Sequence, residues 1–92
     1  MEFLVTIRQD RAELRDLPHL DALVDRERRI GRELIEEGVT VRIWRIPGQR
    51  ANIGVRAARD ATDLAARLDR LPLRRWLDAD VRAPAEHEPE RS

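Results

Sequence analysis

Phe3, Val5 and Ile7 alternate with Leu4, Thr6 and Arg8, the period-two pattern of a strand with one apolar face. Charged residues dominate from Gln9 to Leu17. Pro18 then suits the first turn of a helix, with Asp16 nearby as a candidate cap, and the helix is expected to run from Pro18 to Glu37 and stop at Gly38. At 100° per residue, Leu20, Leu23, Val24, Ile30, Gly31, Leu34 and Ile35 share one stripe, and Glu27 falls near its middle. A carboxylate is thereby expected to face the core. Arg26, Arg28, Arg29 and Arg32 take the flanks and the outer face.

Val39, Val41 and Ile43 alternate with Thr40, Arg42 and Trp44 in a second strand that continues toward Ile46. Pro47-Gly48 supplies turn chemistry, and a third strand follows with Ala51, Ile53 and Val55 expected inward and Asn52, Gly54 and Arg56 outward. Asp60 can cap a second helix from Ala61 to Leu71, its inner face formed by Ala61, Leu64, Ala65, Leu68 and Leu71, with Pro72 ending it. A last strand alternates Leu77, Ala79 and Val81 with Trp76, Asp78 and Asp80. The order βαββαβ predicts one ferredoxin-like α+β sandwich over residues 1–83, an antiparallel sheet with both helices on one face, followed by a polar tail at 84–92. The free face would carry Leu4, Trp44 and Trp76 beside Arg8, Arg42, Asn52 and Arg56. Covering it calls for a second copy, hence a dimer or an assembly built from dimers, a dimeric α+β barrel.

Composition narrows the chemistry. All 18 basic residues are arginine, balanced by 18 acidic ones, so Schiff-base chemistry through lysine is excluded. Arginines and acids alternate along the chain, unlike the one-sided basic footprint of a nucleic-acid binder. With no cysteine, disulfides and thiolate nucleophiles are also excluded. No basic region followed by an apolar stretch opens the chain, and no apolar run approaches the roughly 20 residues of a bilayer span, so a cytoplasmic protein without membrane contact is expected. His19 and His87 are too far apart to suggest a metal site, and no phosphate-binding glycine loop, nucleophile elbow or dinucleotide fingerprint occurs.

Glu27 is the sharpest chemical feature. A carboxylate between helix and sheet either rises in pKa or acquires an arginine partner, and a desolvated one can shuttle a proton at carbon next to a carbonyl. The alternatives are a structural ion pair, with Arg45 as a candidate partner, or a glutamate that reaches the helix edge. Arg45 shares the inward alternation of Val41 and Ile43, and its planar fork suits a substrate carboxylate as well as Glu27. Asn52 on the opposite face fits turn support or ligand binding. Trp44 and Trp76 fit interface packing or a stacking platform.

Glu27, Glu37-Gly38, Trp44-Arg45-Ile46-Pro47-Gly48, Ala51-Asn52 and Leu71-Pro72-Leu73 with Trp76 and Asp78 occur together in an order and spacing that resembles the muconolactone δ-isomerase family from Phe3 to His87. The resemblance implies a cofactor-free isomerase of aromatic catabolism that moves a proton across an allylic system in an unsaturated lactone with a carboxylate arm. It further implies a ferredoxin-like fold and rings of dimers. On that reading Glu27 and Arg45 are catalytic, Trp44, Gln49, Arg50, Asn52 and Trp76 bind substrate, and no metal is called for. The chain departs from the pattern at Gln49 and Arg50, where family members often carry a histidine and an aromatic residue. It departs again at Val24, where a lysine is common, and at Glu88, which breaks a His-Pro pair after His87. Those departures keep two alternatives open: a ligand-binding or accessory relative without isomerase activity, and a cofactor-free monooxygenase-like enzyme.

Overall fold

The computed structural model describes residues 1–83. Strand β1 (Glu2–Arg8) follows the alternation, burying Phe3, Val5 and Ile7. A short helix, α1 (Ala12–Arg15), then forms in the charge-rich stretch and buries Leu14, its one apolar anchor. The long helix α2 (Leu20–Glu36) starts later than the proline at 18 suggested. Pro18 and His19 form a turn, and His19 is left-handed at φ 58°, a conformation outside the helix; Asp16 ends α1 and does not cap α2. At the other end Gly38 (φ 80°) donates to Ile35 O at 3.0 Å while Val39 donates to Leu34 O at 2.9 Å, the paired closure that glycine permits after a helix.

The predicted stripe of α2 is only partly right. Leu34 is buried and Leu20, Leu23, Val24 and Ile30 pack against the core, but Ile35 is 53% exposed, because Leu34 holds the centre of the stripe and its neighbour lies 100° further round. A hairpin joins β2 (Thr40–Arg45) to β3 (Ala51–Ala57) through Pro47-Gly48, with Gly48 at φ 76° as the turn requires. Helix α3 (Ala61–Leu68) is capped by Asp60, whose carboxylate accepts the Asp63 N–H at 2.7 Å. Leu64 and Leu68 are its buried residues; Ala61 and Ala65, expected inward, are exposed. Leu71 is buried in the turn beyond the helix. Leu73 and Leu77 are buried on either side of the 3-10 turn Arg74–Trp76 that leads into β4 (Asp78–Arg82).

The sheet order is β2-β3-β1-β4, with every neighbouring pair antiparallel. Phe3, Val5 and Ile7 share one core with Leu34 of α2 and Leu64 and Leu68 of α3, so both helices cover the same face, as the element order predicted. The register corrects the parity expected for β3. Phe3 stands opposite Arg56, Val5 opposite Gly54 and Ile7 opposite Asn52. Cross-strand partners share a face, so Asn52 and Arg56 point to the helices while Ala51, Ile53 and Val55 lie on the free face. A bulge between Thr40 and Arg42 leaves Val41 unpaired and 52% exposed, after which Ile43 and Arg45 return to the helix side and Arg42 and Trp44 to the free side. Gly54 sits beside the bulge, where a Cβ would come within 2.8 Å of Arg42 O. Trp76, expected on the free face, is half-buried in the 3-10 turn and packs on the core. The tail at 84–92, with His87, lies outside the described residues. Among the described residues no helix is long and apolar enough to cross a membrane.

Candidate functional site

The same register that turns Asn52 inward builds a cavity of about 670 Å³ between the first two helices and the hairpin end of the sheet. Leu14 of α1, Leu20 and Val24 of α2, Ile43 of β2, Ala51 of β3 and Leu73 form its apolar walls. Arg45 and Asn52 face each other across β2 and β3 in register and project into it, and Gln49 and Arg50 of the hairpin turn close one side. Trp44 points to the free face of the sheet by its strand position, yet the residue, 46% exposed, also lines the cavity. The cavity therefore gathers Trp44, Arg45, Gln49, Arg50 and Asn52, although the alternation had set Arg45 on the helix face and Trp44 and Asn52 on the other. Trp76 does not line it; that ring is covered by the Arg75 guanidinium, 5.4 Å from its centroid.

Three cations, Arg15, Arg45 and Arg50, line this space without an acidic side chain among the lining residues. None of the three takes part in an ion pair among the described residues. Asn52 Oδ1 is buried beside them with no partner among the described residues. Such a cavity favours an anion attached to an apolar body.

Glu27 lies just behind the wall. Its Oε1 accepts the N–H of Leu73 at 3.0 Å, and Leu73 and Val24, one helical turn earlier, both line the cavity. Burial raises the Glu27 pKa from its ordinary value, and the Leu73 hydrogen bond opposes that rise without cancelling it. No ion pair joins Glu27 to Arg45; the contact it makes is the uncharged Leu73 amide, which donates a hydrogen bond without neutralising it. The second oxygen, Oε2, makes no hydrogen bond within the described residues and remains available for a proton.

Periodicity missed Leu73, Leu14 and Arg15. The Leu71-Pro72-Leu73 run held the signal for the first: proline ends the preceding helical pattern, so the next amide is free to seek a side-chain acceptor. Arg15 had no such signal, since α1 is a single turn in a stretch read as irregular.

Comparison with known proteins gives concordant matches. The family model described as muconolactone delta-isomerase matches residues 1–90. Over 61 residues the chain is 38% identical to Muconolactone Delta-isomerase 2 of Acinetobacter lwoffii, covering 66% of this chain and 64% of that protein. A crystal structure of muconolactone isomerase superposes with a TM-score of 0.81 at 27% identity, covering 97% of this chain and 93% of that one.

Proposed function

The chain belongs to the muconolactone delta-isomerase family, and from that premise we propose that it isomerises an unsaturated lactone bearing a carboxylate arm by moving one proton across an allylic system. The observation that carries this reading is Glu27, a desolvated carboxylate tied to the wall of an arginine-lined cavity. Glu27 Oε2 takes the proton from the carbon activated by the lactone carbonyl. The electron pair of the broken C–H bond spreads over the conjugated system to the carbonyl oxygen. The protonated carboxyl then returns its proton to the far carbon, and the double bond has moved with no net oxidation. Arg45 balances the negative charge that builds on the carbonyl oxygen, while Arg50 and Arg15 hold the carboxylate arm and Asn52 lines the wall beside Arg45.

Turnover of muconolactone by the purified protein, followed by NMR, tests the reading. Glu27→Gln retains an acceptor for the Leu73 N–H but removes the proton carrier, so kcat should fall by about 10²- to 10⁴-fold with the fold preserved. Unchanged turnover in that variant would remove Glu27 from the chemistry. Gln49 and Arg50 favour a second reading in which the cavity binds a small carboxylate without converting it. Saturable binding of muconolactone with no turnover by the wild type would select it. We also propose that a second copy covers the free face of the sheet, giving a dimer or a ring of dimers.

A further inference from the structure

Arg56 is 4% exposed, on the helix face of β3, where its strand neighbours put Phe3 and Thr40. Among the described residues its Nε and Nη1 are buried without a hydrogen-bond partner and it forms no ion pair. Burial lowers its pKa, but a guanidinium does not lose its proton in a protein, so the charge must be met by something. A leucine would fill the same place without that penalty.

Around Arg56 is a second hollow of about 340 Å³, between α2 and β2 and separate from the cavity at the hairpin end apart from the shared Ile43. Leu34, Ile43 and Leu71 make its walls apolar. Arg28 and Arg32, one turn apart on α2, stand at it as well, and neither has an ion-pair partner among the described residues. Among the described residues no acidic side chain lines it. Gly54 adjoins the guanidinium, its Cβ position 3.6 Å from Arg56 Nη1. Unpaired fork donors at the base, two further cations and an aliphatic wall describe a receptor for a carboxylate carried on a short apolar chain.

We propose that the hollow between α2 and β2 is a second ligand site, in which Arg56 receives the carboxylate of a short aliphatic acid and Leu34, Ile43 and Leu71 enclose its chain. The inference stands apart from the isomerase reading, since it requires neither Glu27 nor turnover.

Pentanoate is the probe, titrated into the full chain by calorimetry and by amide-resolved NMR. Saturable binding is expected, with shifts centred on Gly31, Gly54 and Leu71, and pentanamide should bind about 10-fold or more weakly because it lacks the charge-assisted hydrogen bonds. Arg56→Met should weaken pentanoate by a similar factor without lowering Tm, and Arg56→Gln should do the same while keeping a polar side chain. Arg45→Met should leave pentanoate binding intact. The proposal is overturned if pentanoate does not saturate the wild type, if the amide binds as well as the acid, or if Arg45→Met removes binding that Arg56→Met retains. A change in oligomeric mass in Arg56→Met with unaltered pentanoate affinity would also overturn it, assigning Arg56 to an intersubunit contact.

Discussion

At the scale of single residues, Glu27 links chemistry to stability through one property, its reluctance to ionise where it sits. Its folded pKa lies above its unfolded value because burial disfavours the carboxylate. Between those two values the folded state holds more protons, so the contribution to stability is fully present below the unfolded pKa and is lost as pH rises through the folded one. Glu27→Gln does not titrate. Its Tm relative to the wild type should therefore climb as pH rises through that window and become level in acid, which thermal melts at a series of pH values will read. A general base must be ionised, so kcat/KM of the wild type should rise with pH over the same window. A pH-rate profile flat across that window would assign the proton transfer to another group. How legible these residues were depended on which physical signal carried them. The helical period alone placed Glu27 on the core stripe, since one carboxylate among leucines is conspicuous. Arg45 was placed by strand alternation. Asn52 and Arg56 were turned the wrong way because hydrophobicity set the parity of β3, whereas the pairing with β1 decides it, and a strand with Ile53 and Val55 on one side can face either way until its partners are known.

At the scale of elements, the parts the site depends on are pinned by local polar contacts. The cap of α3 is the plainest: Asp60 accepts the Asp63 N–H at 2.7 Å, and Asp63 in turn accepts the Arg59 N–H at 2.9 Å. Asp60→Ala should cost about 1 kcal/mol, a typical loss for a helix N-cap, measured as a lower midpoint in urea with an unchanged slope. An unaltered midpoint would mean that tertiary packing of Leu64 and Leu68 alone fixes the start of the helix. Further along, Arg70 bridges to Glu37 at 2.7 Å and to Glu33 at 3.4 Å, tying the end of α3 to the end of α2, and Arg11 reaches Asp78 at 3.1 Å to tie the segment after β1 to β4. The Glu37, Asp63 and Asp78 carboxyls are all held below their usual pKa, by Arg70, by the Arg59 amide and by Arg11 respectively. Their support is present above the unfolded carboxylate pKa and lost as pH falls through the lowered values, the reverse of Glu27. Caps and turns of this kind were readable in advance at Asp60, Gly38 and Gly48, because each depends on one residue type at one position. The single-turn α1 and the 3-10 turn holding Trp76 were not, since neither is long enough to show a period; long-range packing of Leu14 and Leu77 makes them form.

At the scale of the whole molecule, one face of the sheet has no helices among the described residues. Leu4, Ile53 and Val55 are half-buried there beside Trp44, while β4 contributes Asp78, Asp80 and Arg82 to the same face, so an apolar half spanning β2, β3 and β1 adjoins a charged half. Arg42 stacks near Trp44, its guanidinium 5.9 Å from the ring centroid, and covers only part of the apolar half. A contiguous apolar area of this kind on a four-stranded sheet is stable in water when it meets another surface, and a second copy offers an identical one related by a twofold axis. Light scattering at micromolar concentration should therefore give at least a dimer; a monomer would refute the face-to-face arrangement. Val55 is the residue to change, because β3 is an interior strand and Val55 lies between Leu4 and Arg42. Val55→Glu would bury an unpaired carboxylate between the two sheets, a cost of several kcal/mol, and should yield a monomer. Since Val55 points away from the helices, that monomer should keep its helix-side core and melt cooperatively. The cavity rim then separates two ways of losing activity. Trp44 supplies contact there and belongs both to the free face and to the cavity, so dissociation should raise KM for substrate by loosening that wall while Glu27, held by Leu73 on the far side of the sheet, keeps its raised pKa and the pH-rate profile keeps its shape.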